Sequence, residues 1–179
     1  MRIISGIAKG NKLTAPVGLT TRPTGDRMKE DLFNILISEM STLKNIDFLD
    51  LFCGSGQIGI EALSRGAKTA VFVDDSKEAI KATKANLQKS KLNGIVLEMP
   101  VQAAFSTLKQ QKFDVIFLDP PYKTNQVATA INYIVTANIL KGILVAECPV
   151  NIKLPHFDGI QQYRTKTYKQ TQFLFYKIC

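Results

Sequence analysis

Ile46-Asp47-Phe48-Leu49-Asp50-Leu51-Phe52-Cys53-Gly54-Ser55-Gly56-Gln57-Ile58-Gly59 is the stretch whose reading decides the fold. Its first seven residues are apolar apart from two aspartates and read as a buried strand. After Cys53, the last six, Gly54 to Gly59, fit G-x-G-x-x-G. Glycines at that spacing let the backbone turn sharply and approach a ligand at the N-terminus of the following helix, expected from Gln57 to Arg65 and ended by Gly66. Dinucleotide enzymes share this pattern, so alone it specifies a ligand loop and not a ligand.

Working outward, strands and helices alternate. Residues 70–73 read as a strand. Ser76 caps an amphipathic helix reaching Ser90, with Glu78 in its first turn. Strand 95–97, helix 101–108, strand 113–118, helix 124–138 and strand 142–146 follow. Such alternation predicts a parallel sheet with right-handed crossovers. The run Val115-Ile116-Phe117-Leu118 suits a strand buried on both faces. Residues 161–167 and 172–178 then read as an antiparallel pair. Five parallel strands with that pair make seven, the mostly parallel sheet of the Rossmann-like class I S-adenosylmethionine-dependent methyltransferase fold. Upstream, residues 2–4 and 12–14 read as a β-hairpin, and a helix starts near Asp26. The expected division is residues 1–44 as an extension of hairpin and helix, and residues 45–179 as the main domain.

Two features bear on the ligand. Asp50 precedes the glycines, and a carboxylate there suits the cationic end of S-adenosylmethionine, whereas it would repel a pyrophosphate. A second role for Asp50 is to hold backbone N–H groups of the loop. Asp74, twenty residues beyond Gly54, closes the second strand and suits ribose hydroxyls in either cofactor class. The other feature is Asp119-Pro120-Pro121-Tyr122 at the end of the fourth strand. Ligands of open α/β sheets bind beyond the carboxyl ends of the strands, so this tetrapeptide faces the glycine-loop crevice. An exocyclic amino group of a base is a poor nucleophile. The Asp119 carboxylate and the Pro120 carbonyl can accept its two N–H donors and orient its lone pair. Proline fixes φ and carries no donor, and Tyr122 offers a ring for stacking. A base within a helix would first have to be flipped out.

Of 179 residues, 45% are hydrophobic and 21% charged, which suits one folded unit. Three scattered cysteines (Cys53, Cys148, Cys179) and one histidine (His156) offer neither a disulfide framework nor a metal site. A cytoplasmic monomer without a membrane segment is the expectation. The net charge of +8 is uneven. Residues 1–29 carry Arg2, Lys9, Lys12, Arg22, Arg27 and Lys29 against one acid, Asp26, a net of +5. Residues 160–179 carry Arg164, Lys166, Lys169 and Lys177 without an acid. Basic ends around a neutral middle suit a polyanion-facing surface.

The whole length resembles the RsmD family of bacterial methyltransferases. Arg2-Ile3-Ile4-Ser5-Gly6, then Thr21-Arg22-Pro23-Thr24-Gly25-Asp26-Arg27, carry the resemblance. So do Asp50-Leu51-Phe52-Cys53-Gly54-Ser55-Gly56 and Asp119-Pro120-Pro121-Tyr122. The resemblance implies N2 methylation of a guanine in 16S ribosomal RNA on an assembling small subunit. It implies S-adenosylmethionine contacts from Asp50, Phe52, Gly54, Gly56 and Asp74, and RNA contacts from Arg2, Lys9, Lys12, Arg22 and Arg27. The family's usual Asp-Ala contact to adenine is absent, and Gln102 is the candidate in its place. Tyr168-Lys169-Gln170-Thr171 replaces a glycine-containing turn and predicts a wider one. Rival readings are methylation of adenine N6 or of a protein glutamine, a non-catalytic RNA-binding assembly factor, and a nicotinamide-dependent oxidoreductase.

Overall fold

A computed structural model describes residues 1–16, 24–121 and 125–179. The elements run α1 (Asp26–Met40), β1 (Asp47–Leu51), α2 (Gln57–Ser64), β2 (Thr69–Asp74), α3 (Lys77–Ser90), β3 (Ile95–Glu98), α4 (Val101–Leu108), β4 (Phe113–Leu118), α5 (Gln126–Thr136), β5 (Leu140–Pro149), β6 (Ile160–Thr167) and β7 (Thr171–Ile178). The strands form one seven-stranded sheet in the order β3-β2-β1-β4-β5-β7-β6. Only β7 runs against its neighbours β5 and β6. The order reverses between β1 and β4, which places a crevice beyond their C-terminal ends.

Each face of the sheet buries its own layer. Leu49, Leu51, Ile116, Leu118 and Leu144 meet Phe105 of α4 and Ile131 and Ile134 of α5. Phe48, Phe72, Phe117, Phe173 and Phe175 meet Leu32, Phe33 and Leu36 of α1 and Ile58 and Ile60 of α2. Near-continuous apolar strands follow from being covered on both sides. Residues of the N-terminal segment, Ile3, Ala8 and Leu13, belong to the second layer.

The expected N-terminal hairpin shrinks to a single bridge between Arg2 and Lys12. Competition for hydrogen bonds explains this. The Ile4 and Ser5 N–H groups donate to Glu61 at 2.8 and 3.0 Å. Ile7 donates to the Ser64 carbonyl at 2.8 Å, and Ala8 to Ser64 Oγ at 3.0 Å. Helix α2 thus takes the donors that a second strand would have used. Glu61 also meets Lys29 Nζ at 3.5 Å and Arg65 Nε at 2.8 Å. The side chains of Lys29 and Glu61 are both fully buried, and Lys29 Nζ donates as well to the Arg2 carbonyl. Burial pulls the Lys29 ammonium below its ordinary range, and the Glu61 charge opposes that shift.

Removing one partner of a buried ion pair leaves the other uncompensated, at a cost of about 3–5 kcal/mol. Glu61→Ala is therefore expected to lose stability on that scale, read by urea denaturation. A loss as small as that of an exposed side chain would show that the N-terminal segment is held by its apolar contacts alone.

Candidate active site

A cleft of about 780 Å³ opens where the sheet order reverses. The glycine loop forms one wall. At the end of β1 the chain turns through Phe52, a non-glycine residue with φ of 59°. The Cys53 N–H donates to the Val73 carbonyl at 3.0 Å, and Gly56 N–H closes the turn on the Cys53 carbonyl at 2.7 Å. Gly54 lies in the left-handed region, and a Cβ built there would meet nothing within 4 Å. Gly59 has the opposite reason for lacking a side chain, since its Cβ would fall 2.4 Å from the Phe72 ring. The first glycine leaves open space toward the cleft, and the last lets α2 lie close on β2.

Asp74 ends β2 and holds this wall. Its carboxylate accepts from Gly54 N–H and Ser76 N–H, both at 2.9 Å. Burial raises its pKa, and the two backbone donors oppose the shift. Ser76 caps α3 as predicted, accepting from Ala79 N–H at 3.3 Å.

The floor is built by β4 and β5. The Asp119 N–H extends the β1–β4 ladder, donating to the Leu51 carbonyl at 3.4 Å. Asp119, Pro120 and Pro121 all line the cleft. Leu118 is in register with Ala146, so Asp119 and Glu147 stand side by side at neighbouring strand ends. Glu147 is 4% exposed yet lines the cleft. Its two carboxylate oxygens accept from Thr24 Oγ1 at 3.1 Å and Thr171 Oγ1 at 3.3 Å. Burial raises the Asp119 pKa well above the carboxylate range, and the charges of Glu147 and Asp50 push it further.

The structure therefore gathers Phe52, Gly54, Asp74, Asp119, Pro120 and Pro121 around one space. Asp50, Gly56 and Gln102 do not reach the cleft wall. Asp50 sits behind the loop, 2% exposed, and accepts from Gly59 N–H at 2.8 Å. Its structural role is the one the geometry displays. Gly56 starts α2 from beneath, against Thr83. Gln102 points to solvent from the first turn of α4, because the chain leaves β3 through Met99 and Pro100 without turning that side chain inward. Arg22 and Tyr122 lie outside the described residues.

Sequence reasoning missed Glu147, Thr24, Gln57 and Thr171 as cleft residues. Thr24, Gln57 and Thr171 lie within motif segments that gave them no role, and Glu147 lies in none. The signal for Glu147 was a lone acid inside the apolar strand Ile143-Leu144-Val145-Ala146-Glu147-Cys148, which required a buried partner. Cys53 is buried beside Thr83, with burial pushing its thiol well above the ordinary value. The β6–β7 turn is tight and not wide: Tyr168 N–H donates to the Thr171 carbonyl at 2.8 Å, leaving Lys169 and Gln170 as its two-residue tip.

The charge map also changes. Lys29 is buried and adds nothing to a basic surface. Arg164 and Lys177 pair with Glu39 at 3.2 and 2.8 Å, and Lys166 with Asp31 at 3.5 Å. The C-terminal cations thus meet acids of α1. Arg2 pairs with Asp26 at 2.9 Å while staying largely exposed. Arg27 makes no ion pair with Asp31 one turn on, which instead accepts from Tyr168 Oη at 3.1 Å. Lys9, Lys12 and Arg27 are exposed. Among the described residues, no group of metal-ligating side chains occurs and no helix is long and apolar enough to cross a membrane.

The family model described as conserved hypothetical protein 95 matches residues 1–177. A Bacillus subtilis protein, provisionally named an rRNA methyltransferase, is 38% identical over 184 residues, spanning 99% of this chain and 98% of that one. The ribosomal RNA small subunit methyltransferase D of Haemophilus influenzae is 41% identical over 145 residues, 79% of this chain and 74% of its own. A solved Escherichia coli structure, provisionally titled a methyltransferase, matches with a TM-score of 0.85 at 30% identity, covering 99% of this chain and 97% of that one.

Burial raises the Asp50 pKa to about 8, from the ordinary value of 3.8. Between those values the unfolded chain has released this proton and the folded chain has kept it. Asp50 therefore favours the folded state at low pH, and that contribution is lost as pH rises toward 8, at up to about 1.4 kcal/mol per pH unit. Asp50→Asn keeps an acceptor for Gly59 and removes the titration. Its stability is expected to fall less than the wild type's between pH 5 and pH 8. Parallel pH profiles from urea melts would refute this assignment.

Proposed function

The chain belongs to the ribosomal RNA small subunit methyltransferase D family, and on that premise we propose that it methylates the N2 amino group of a guanine in 16S ribosomal RNA, with S-adenosylmethionine as donor. The observation that carries the reading is the single cleft joining the Gly54 loop to Asp119-Pro120-Pro121. The residues suit the donor. The open space above Gly54 accepts a group that a side chain would displace. The Asp74 carboxylate beside the loop suits a cation and is hostile to a pyrophosphate, while Asp50, protonated below about pH 8, holds the Gly59 N–H behind it. Phe52 and Gly54 line that wall, and Gly56 sets the start of α2 behind it.

S-adenosylmethionine supplies a methyl group already activated on a sulfonium. The protein's share is to place the nucleophile. The Asp119 carboxylate and the Pro120 carbonyl accept the two N–H groups of the base and turn its nitrogen lone pair toward the donor. Tyr122 stacks on the ring. A nearby cation and two N–H donors both favour ionised Asp119, opposite in sign to the burial that raises its pKa. After transfer the nitrogen loses one proton to water or to Asp119. Residues 1–44 bring Arg2, Lys9, Lys12, Arg22 and Arg27 to the phosphates of an RNA held as a bulged or flipped-out site. We place the enzyme in the cytoplasm as a monomer acting during small-subunit assembly.

Radiolabelled S-adenosylmethionine, offered with unmodified small subunits, naked ribosomal RNA and a protein extract, tests this. Label is expected as N2-methylguanosine from small-subunit RNA. Label in another nucleoside or in protein would overturn the substrate, and no label anywhere would favour a binding factor that kept the fold. Asp119→Ala should lower kcat by about 100-fold or more while cofactor Kd stays unchanged, because it acts on the base. Loss of cofactor affinity instead would move Asp119 to the donor side.

A further inference from the structure

The floor of the cleft holds a second carboxylate that the mechanism above leaves without a task. Glu147 stands beside Asp119 on the adjacent parallel strand, one position past the Leu118–Ala146 pair. Equivalent positions on neighbouring strands share a face and lie roughly 4.8 Å apart. Two side chains that start this close on one face can converge on neighbouring donors along the edge of one base. Both Glu147 oxygens are fixed in orientation by the Thr24 and Thr171 hydroxyls. Those two residues come from the segment before α1 and from the β6–β7 turn, and both line the same cleft. The only basic side chain among the described cleft residues is Lys169, at the rim of the turn.

Two acceptors side by side select among bases by elementary chemistry. Guanine presents two adjacent donors on its Watson–Crick edge, the N1–H and the N2 amino group. Adenine and cytosine place a ring acceptor beside their amino group. A carboxylate facing that ring position attracts the first and repels the other two.

We infer that Glu147 is a specificity-determining residue that accepts the guanine N1–H while Asp119 and Pro120 hold the N2 amino group. The inference rests on the guanine-N2 reading and assigns the part of the cleft that distinguishes guanine from other amino-bearing bases. No bond forms or breaks at Glu147. Its contribution is the binding difference between a base with a ring donor and a base with a ring acceptor. A buried polar group left facing the wrong partner is costly, which makes such a contact discriminating.

The test uses 2-aminopurine, which keeps the N2 amino group and carries an acceptor at N1. RNA bearing the site identified in the wild-type assay is prepared with guanine or 2-aminopurine at that position. Methyl transfer to each is measured for the intact protein and for Glu147→Gln. The wild type is expected to prefer guanine by about 10–100-fold in kcat/KM, the scale of one good base contact. The amide of Glu147→Gln can turn a donor to N1, so that preference should narrow by about tenfold or more at unchanged cofactor affinity. A merely structural role would lower both substrates together and leave the ratio unmoved, which would overturn the inference. Where the variant does not fold, the wild type decides alone, because a ratio near one also overturns it. If the wild type yields no N2-methylguanosine, the parent reading falls first, and that outcome is distinct from an unmoved ratio.

Discussion

Glu61 sits on α2 without solvent contact and gathers four donors: two backbone N–H groups of the N-terminal segment, the buried Lys29 of α1 and Arg65. A carboxylate cannot be buried without such compensation. Meeting it fixes three parts of the chain at once. The N-terminal segment lies across α2, α1 lies against the sheet, and the end of α2 that begins at Gly56 is held in place. The same segment continues to Thr14, whose N–H and carbonyl both bond Asn86, and Asn86 in turn donates to the Ser55 carbonyl at 2.9 Å. Met1, Ala15 and Pro16 thereby become cleft wall beside the glycine loop. The N-terminal region is part of the site's geometry as well as of its surface charge.

Acids at the strand ends line the cleft or stand directly behind it. Asp50, Asp74 and Asp119 come from the ends of three adjacent strands, and burial raises the pKa of each. Parallel strands deliver their C-terminal residues to one edge, so a sheet of this order concentrates whatever chemistry its strand ends carry. Here that chemistry is acceptor-rich, matched to a cationic donor on one side and to N–H groups on the other. Asp50 illustrates how one residue serves both stability and potential. Its hydrogen bond to Gly59 is structural, and once ionised, above about pH 8, its charge pushes the Asp119 pKa further up.

Much of this was legible because it rests on local rules. The near-continuous apolar runs and the glycine spacing place β1, β4 and α2 to within a residue or two, and Ser76 caps α3 where its hydroxyl predicts. The misses share another cause. The hairpin at residues 2–14 has sound turn signals, yet its donors are taken by Glu61 and Ser64, some fifty residues on. Glu147 carries no motif, and its meaning comes from a register shared with Asp119. Gln102 was placed by analogy with a missing pair, and the Met99-Pro100 exit from β3 leaves it in solvent. Pairings across long sequence separations are set by tertiary competition, which neither periodicity nor spacing records.

Charge counting by segment shows the same limit and bears on where RNA can lie. The C-terminal excess looked like a basic end, but Glu39 and Asp31 of α1 draw Arg164, Lys166 and Lys177 onto the helix, binding the β6–β7 hairpin to it. Exposed pairs of this kind contribute little stability, yet they leave less charge for a polyanion on that face. The cations left without an acid partner among the described residues include Lys9, Lys12, Arg27 and Lys169. Arg27, in the first turn of α1, follows the cleft residues Thr24 and Gly25, and Lys169 lines the cleft from the β6–β7 turn, whose Tyr168 bonds Asp31 of α1. The local arrangement of cations without acid partners, rather than the net charge of +8, sets the potential that a polyanion would meet on each face.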